Sequence, residues 1–231
     1  GFWIILCMFF IPPVTFAGNM KLHYDRPAEY FEEALVIGNG TMGATLYGGV
    51  KKDKISFNDI TLWTGEPESE NSSPDAFNTI PEIRALLDNE DYQGADKAQY
   101  KVQGHYSENY QPLGTLTIEY LDDTAGISDY HRWLDIGNAT ARMQYLKDGE
   151  LFTSDYFASA PDSVIVICLK SENKEGIHAL LSFDSPLPHS SQVADNEISV
   201  EGYAAYHSFP VYYKAEDKHR YDPERGIHFK T

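Results

Sequence analysis

Three kinds of residue in this chain could do chemistry by their type and spacing: a glycine-rich hexapeptide, a large supply of carboxylates and eight histidines. The hexapeptide, Gly38-Asn39-Gly40-Thr41-Met42-Gly43, satisfies G-x-G-x-x-G. That pattern cradles a pyrophosphate only when a strand precedes it and a helix opens on it. Here the apolar run from Ala44 continues into Gly48-Gly49, so the hexapeptide reads as a turn between strands and no cofactor is expected. Acid–base hydrolysis can be carried by two carboxyl groups, or by one with an activated water. Glu32-Glu33, Asp59, Glu66, Asp135 and Asp155 all stand near turns or strands, where solvation is the ordinary fate of a carboxylate. The histidines lack metal-ligand spacing: His219 and His228 are no helical neighbours, and neither H-E-x-x-H nor paired cysteines occur. No metal site is expected. Ser154, Ser159 and Ser163 lack the G-x-S-x-G elbow of a nucleophilic serine.

The elements that would position such residues are strands. From Tyr24 to Gly65 short apolar runs (Leu35-Val36-Ile37, Ala44 to Tyr47, Ile55-Ser56-Phe57, Leu62-Trp63) alternate with Gly, Asn and Asp turns. This is the punctuation of an antiparallel meander. Glu66 to Phe77 is a polar loop, after which Thr79-Ile80-Pro81-Glu82 has the form of a capping box. Ile80, Ile83, Leu86 and Leu87 carry the helical period, and a second helix is expected over Tyr92 to Val102. From Leu113 onward strands recur: Leu113 to Leu121, Ala139 to Leu146, Leu151 to Ala158, Ser163 to Leu169, Ile177 to Phe183, Glu197 to Val200 and Val211 to Lys214. The expected fold is therefore mainly β, a large antiparallel sandwich with a small helical insertion at about 79–102.

With 42% apolar residues over 231 positions, one domain with a sizeable core is expected. The net charge of −17 argues against a nucleic-acid or anionic-membrane partner, since both require a basic surface. Residues 1–17 are uncharged and apolar as far as Ile11, too short to span a bilayer, and end Thr15-Phe16-Ala17. They read as a signal peptide without its initiator methionine, which implies a secreted or periplasmic protein with a mature segment of 18–231. Cys7 and Cys168 cannot form a disulfide framework, and Cys168 reads as a core thiol. Gly226 to Thr231 begins an alternating strand without a polar tail, as in a chain that continues. Three sequons stand at Asn39, Asn71 and Asn138, relevant only in a eukaryotic secretory path.

The motifs resemble the opening of the glycoside hydrolase family 95 α-L-fucosidases. Pro27-Ala28, Ala34-Leu35, Ile37-Gly38-Asn39-Gly40, Gly43-Ala44, Gly48-Gly49, Asn58, Leu62-Trp63 and Gly65 stand at that family's matching places. The likeness continues through Tyr110 to Gly114, Tyr130 to Asp135 and Tyr156 to Asp162. Val36 stands where the family prefers proline, Tyr30 or Phe31 where it prefers tryptophan, and Ser154 where it often has arginine. The resemblance implies an amino-terminal β-domain preceding an (α/α)6 barrel that holds the acid and base of an inverting reaction on fucosylated glycans. No segment here resembles the barrel's motifs, so no catalytic residue is carried over.

The 16 Tyr, 12 Phe and 3 Trp can serve as core, interface or sugar-stacking surface. Trp133 and Phe157 are expected in the core or at an interface. Asn39, Asn58, Asp59 and Trp63, in the meander, are the candidate residues for a barrel interface or the border of its pocket. The expected partner is a fucosylated oligosaccharide or polysaccharide held by that barrel. The alternative is a stand-alone carbohydrate-binding or structural sandwich.

Overall fold

The computed structural model describes residues 20–67, 73–104 and 107–231. The expected signal peptide and the Asn71 sequon lie outside the described residues. The chain is mainly β, with antiparallel sheets and two helices, as its turn punctuation predicts.

The strands are β1 (Lys21–Tyr24), β2 (Leu35–Gly38), β3 (Met42–Leu46), β4 (Lys52–Asp59), β5 (Gly114–Tyr120), β6 (Ile127–Asp135), β7 (Thr140–Lys147) and β8 (Glu150–Ser159). They continue as β9 (Val164–Ser171), β10 (Ala179–Asp184), β11 (His189–Ala194), β12 (Glu197–Tyr203), β13 (His207–Ser208), β14 (His219–Arg220) and β15 (His228–Lys230). One five-stranded sheet has the order β1-β6-β7-β8-β9 and a second the order β10-β5-β4-β3-β2. Smaller sheets join β11-β12-β15 and β13-β14.

The chain divides into two compact units. The first gathers the described residues up to Asn39 with Gly43–Ile55 and Ile118–Leu180; the second gathers Gly40–Met42, Ser56–Thr117 and Leu181–Thr231. The first is a sandwich in which β2 lies against β6, β7 and β8. Alternation along its strands sends Leu35, Ile37, Ala44, Leu46 and Ile55 inward to meet Ala141, Met143, Tyr145, Phe152 and Tyr156. The second has its own smaller core of Leu62, Leu187 and Ala204, with Leu113 and Phe229 packed against it.

The glycine hexapeptide is a hairpin: Gly38 pairs with Gly43 across an antiparallel β2–β3 turn, with Gly40 at φ +93°. No helix opens on it, so the dinucleotide reading fails on geometry. Gly48-Gly49 has a different task. A Cβ on Gly49 would sit 2.0 Å from the carbonyl oxygen of Lys52, so only glycine fits. The turn is pinned from beneath by Asp53, fully buried, whose Oδ1 accepts from the Gly49 amide at 2.9 Å and Oδ2 from the Tyr156 hydroxyl at 2.8 Å. Burial pushes the Asp53 carboxyl up, against the pull of donors from Gly49 and Tyr156.

Several expectations are corrected. The first helix, α1 (Ala76–Asp88), starts three residues before Thr79, and Pro81 lies inside it. Thr79 is no cap; its hydroxyl donates back to the Asp75 carbonyl at 3.0 Å. The second helix, α2 (Tyr92–Gln99), ends before Val102. Val211 to Lys214 is not a strand but part of the loop of the β13–β14 hairpin, where Tyr213 donates to the Pro210 carbonyl at 2.9 Å. Leu62-Trp63 forms only a single bridge. Cys168 is half-buried on β9, an edge strand, and so is not a core thiol. Trp133 is half-buried and Phe157 exposed, which removes the core assignment for Phe157. Ser154, where the resemblance leads one to expect arginine, is fully buried in β8.

Candidate functional site

In the second unit the chain leaves β4 through a tight turn at Asp59 and then runs beside residues 109–111. Asp59 builds the turn, its Oδ1 accepting from the Thr61 amide at 2.8 Å and the Thr61 hydroxyl at 2.6 Å. Asn58 assists by accepting the Asp59 amide at 2.9 Å. The Ile60 amide donates to the Thr41 carbonyl at the hairpin tip, at 2.9 Å. Beyond the turn a short antiparallel ladder forms: Thr64 donates to the Asn109 carbonyl at 2.8 Å, Gln111 to the Leu62 carbonyl at 3.0 Å, and Trp63 bridges Tyr110.

Alternation across this ladder divides its side chains into two sets. Leu62, Thr64 and Gln111 are buried. Trp63 and Tyr110 point outward at 42% and 47% exposure, beside Ile60 at 57%. The two rings meet at 5.6 Å between centroids, tilted by 56°, and the indole N–H donates to the Ile60 carbonyl at 3.0 Å. Pairing of this kind fixes both rings before any partner arrives.

Behind the ladder is a polar network that holds it. Glu108 accepts from the Thr64 hydroxyl at 2.6 Å and from the Ser208 amide at 3.0 Å, and lies 2.7 Å from Nδ1 of His207. Asn109 donates to the Ser208 hydroxyl at 2.7 Å, which in turn meets Nδ1 of His219 at 2.9 Å. Burial opposes ionisation of Glu108, but donation from Thr64, His207 and Ser208 outweighs it and holds the carboxyl below its ordinary value. A glutamate held ionised this way cannot serve as a general acid near neutrality. Its role is to clamp the ladder to β13.

Three of the four sequence-level candidates, Asn58, Asp59 and Trp63, are thus brought together on one turn. Asn39 belongs to the other unit, where its amide donates to the Ser159 carbonyl at 2.9 Å. Tyr110 and Glu108 escaped sequence reading because their partners lie about 45 residues away in the chain, beyond any periodic signal. The other acidic residues have structural partners: Glu33 with Arg26, Glu66 with Arg225, Asp135 with Asn138 and Asp155 with Arg142. Among the described residues no group of three or more His, Cys, Asp or Glu is placed to hold a metal ion, and no helix is long and apolar enough to cross a membrane.

Comparison with known proteins bears on what the exposed pair faces. Residues 22–231 match the family described as glycosyl hydrolase family 65, N-terminal domain. The chain is 31% identical over 219 residues to Alpha-L-fucosidase 2 of Arabidopsis thaliana, covering 92% of this chain and 26% of that protein. It is 27% identical over 179 residues to Probable alpha-fucosidase A of Aspergillus niger, and 28% identical over 145 residues to its namesake in Aspergillus oryzae. Those matches cover 73% and 60% of this chain and 22% and 20% of the relatives, so the chain spans about a fifth to a quarter of the length of the three. Since the match extends over residues 22–231, the chain belongs to the N-terminal domain family of the family 65 glycosyl hydrolases.

Proposed function

We propose that this chain is the amino-terminal β-domain of a secreted α-L-fucosidase of the family 95 kind, which removes terminal α-L-fucosyl groups from glycans with inversion. Its own part is structural. It holds a catalytic barrel that supplies the acid and base, and the Asn58-Asp59 turn with the adjoining Trp63–Tyr110 pair is the contact surface. The observation that carries this reading is the prearranged, outward-facing Trp63–Tyr110 pair in a chain matching only about a quarter of its relatives. An exposed aromatic pair backed by a polar clamp supports an interaction surface there. Further support comes from α1, where Phe77, Ile80 and Leu87 of the apolar side are exposed.

Inversion requires one carboxylic acid and one carboxylate about 6.5–9.5 Å apart with a water between. Glu33, Glu66, Glu108, Asp135 and Asp155 each have a structural partner, which supports a reacting pair supplied by the barrel. The test compares the full-length gene product with the 231-residue chain on an aryl α-L-fucoside. The full-length protein should release β-L-fucose as first product by NMR, while the chain alone stays inactive and self-associates. Cleavage by the chain alone would defeat the reading.

The same aromatic pair, beside the Asp59 turn, supports a second reading in which this surface itself binds a glycan. Saturable binding of a fucosylated oligosaccharide to the chain alone, lost in Trp63→Ala, would favour it over the docking role.

A further inference from the structure

Of the sequons, two lie within the described residues, and their environments differ. Asn39 is half-buried and its amide is committed to the Ser159 carbonyl. Asn138 is exposed at the tip of the β6–β7 hairpin, where Asp135 pairs with Thr140 and Ala139 adopts φ +53°. Asp135 shapes this tip, accepting the Asn138 backbone amide and its side-chain amide, each at 3.1 Å. Two exposed apolar residues stand near it in the hairpin and the adjoining strand. Ile136, two residues before the asparagine, is 49% exposed, and Phe157, 38% exposed, stands directly across from Thr140 on the same face of the sheet.

We propose that Asn138 is an N-glycosylation site and that its first sugar covers Ile136 and Phe157. The inference rests on the secretory part of the proposed function, and the organisms of the matched relatives, a plant and two fungi, have the required pathway. The co-reactant is a lipid diphosphate-linked oligosaccharide. Nδ2 of Asn138 forms a bond to the sugar C1 as the C1–O bond to the diphosphate breaks. The diphosphate leaves with that electron pair and one amide proton is lost. The remaining N–H still donates to Asp135, so the hairpin keeps its tip after modification. The carbon-bound hydrogens of the sugar face then shield apolar area that water otherwise meets.

The experiment uses the full-length gene product, secreted from a eukaryotic host behind the host's own leader. It is digested with peptide N-glycosidase in 18O-water and then with trypsin. The peptide from Trp133 to Arg142 should carry an 18O-labelled aspartate at position 138, absent in Asn138→Gln and retained in Thr140→Ser. The glycosylated form should also melt higher than the enzymatically trimmed form. Secreted protein with an unmodified 133–142 peptide would overturn the site, and equal melting temperatures would overturn the covering role. Because the leader is supplied, either failure is distinct from loss of fucosidase activity, which is read separately on the aryl fucoside.

Discussion

Two regions of the same motif-rich stretch use buried polar groups in opposite ways. Around Gly48-Gly49 a fully buried carboxyl, Asp53, faces inward and is met by Gly49 and Tyr156. Around Trp63 the carboxylate of Glu108 stays partly solvated and is gathered by Thr64, His207 and Ser208, with an aromatic pair exposed on the far side. The first arrangement spends its polar group on closing a core turn. The second spends its polar group on presenting a surface. Motif density alone does not separate these roles; what lies on the other side of the backbone does.

The sharpest break of this contrast is Gly49→Ala. With a carbonyl oxygen 2.0 Å from the new Cβ, the turn must rearrange, and the expected loss is about 4 kcal/mol or more in denaturant unfolding. A variant within about 1 kcal/mol of the parent would show that the turn yields easily. Next in size are removals of one polar partner in each region. Tyr156→Phe strips a donor from Asp53, and Glu108→Gln turns an amide toward donors; each should cost about 1–3 kcal/mol.

The pH dependences should run in opposite directions. Asp53, its carboxyl pushed up by burial, holds its proton more tightly folded than unfolded. Its contribution is therefore full below the ordinary aspartate value and declines as pH rises through the raised folded value. Glu108, held down by its donors despite burial, contributes above the ordinary glutamate value and loses that contribution as pH falls through its depressed folded value. Hydrogen exchange of the Tyr156 and Ser208 amides across the acid range should show these opposite trends. Asp53→Asn should flatten the first and Glu108→Gln the second; parallel trends would contradict the contrast. The smallest effect is expected at Arg142–Asp155, a half-exposed pair on the outer face of the first sheet. Asp155→Asn should change stability by only about 0.2–1 kcal/mol.

Much of the fold was legible because Gly, Asn and Asp turns bracket strands, some of which alternate cleanly, as in β7. The misses have physical causes. β11 is exposed along its whole length and β1 likewise, so neither shows alternation. β6 carries a register shift between Ser128 and His131, with Asp129 at φ +49°, which breaks its period. The form of a capping box at Thr79 was misleading because helix α1 tolerates Pro81 in its interior. At the candidate site Trp63, Asn58 and Asp59 were visible as local sequence, whereas Tyr110, Glu108 and His207 are joined to it only by long-range hydrogen bonds and ring contacts.

Trp63 is proposed to face the rest of a larger enzyme. The most direct test is the cost of Trp63→Ala measured twice by chemical denaturation. In the 231-residue chain the ring has one aromatic neighbour and half its surface in water, so the loss should be about 0.5–1.5 kcal/mol. In the full-length gene product, if the proposed barrel covers the ring, the loss should rise to roughly 3–5 kcal/mol. Equal costs in the two proteins would contradict the account and leave Trp63 an incidental surface residue.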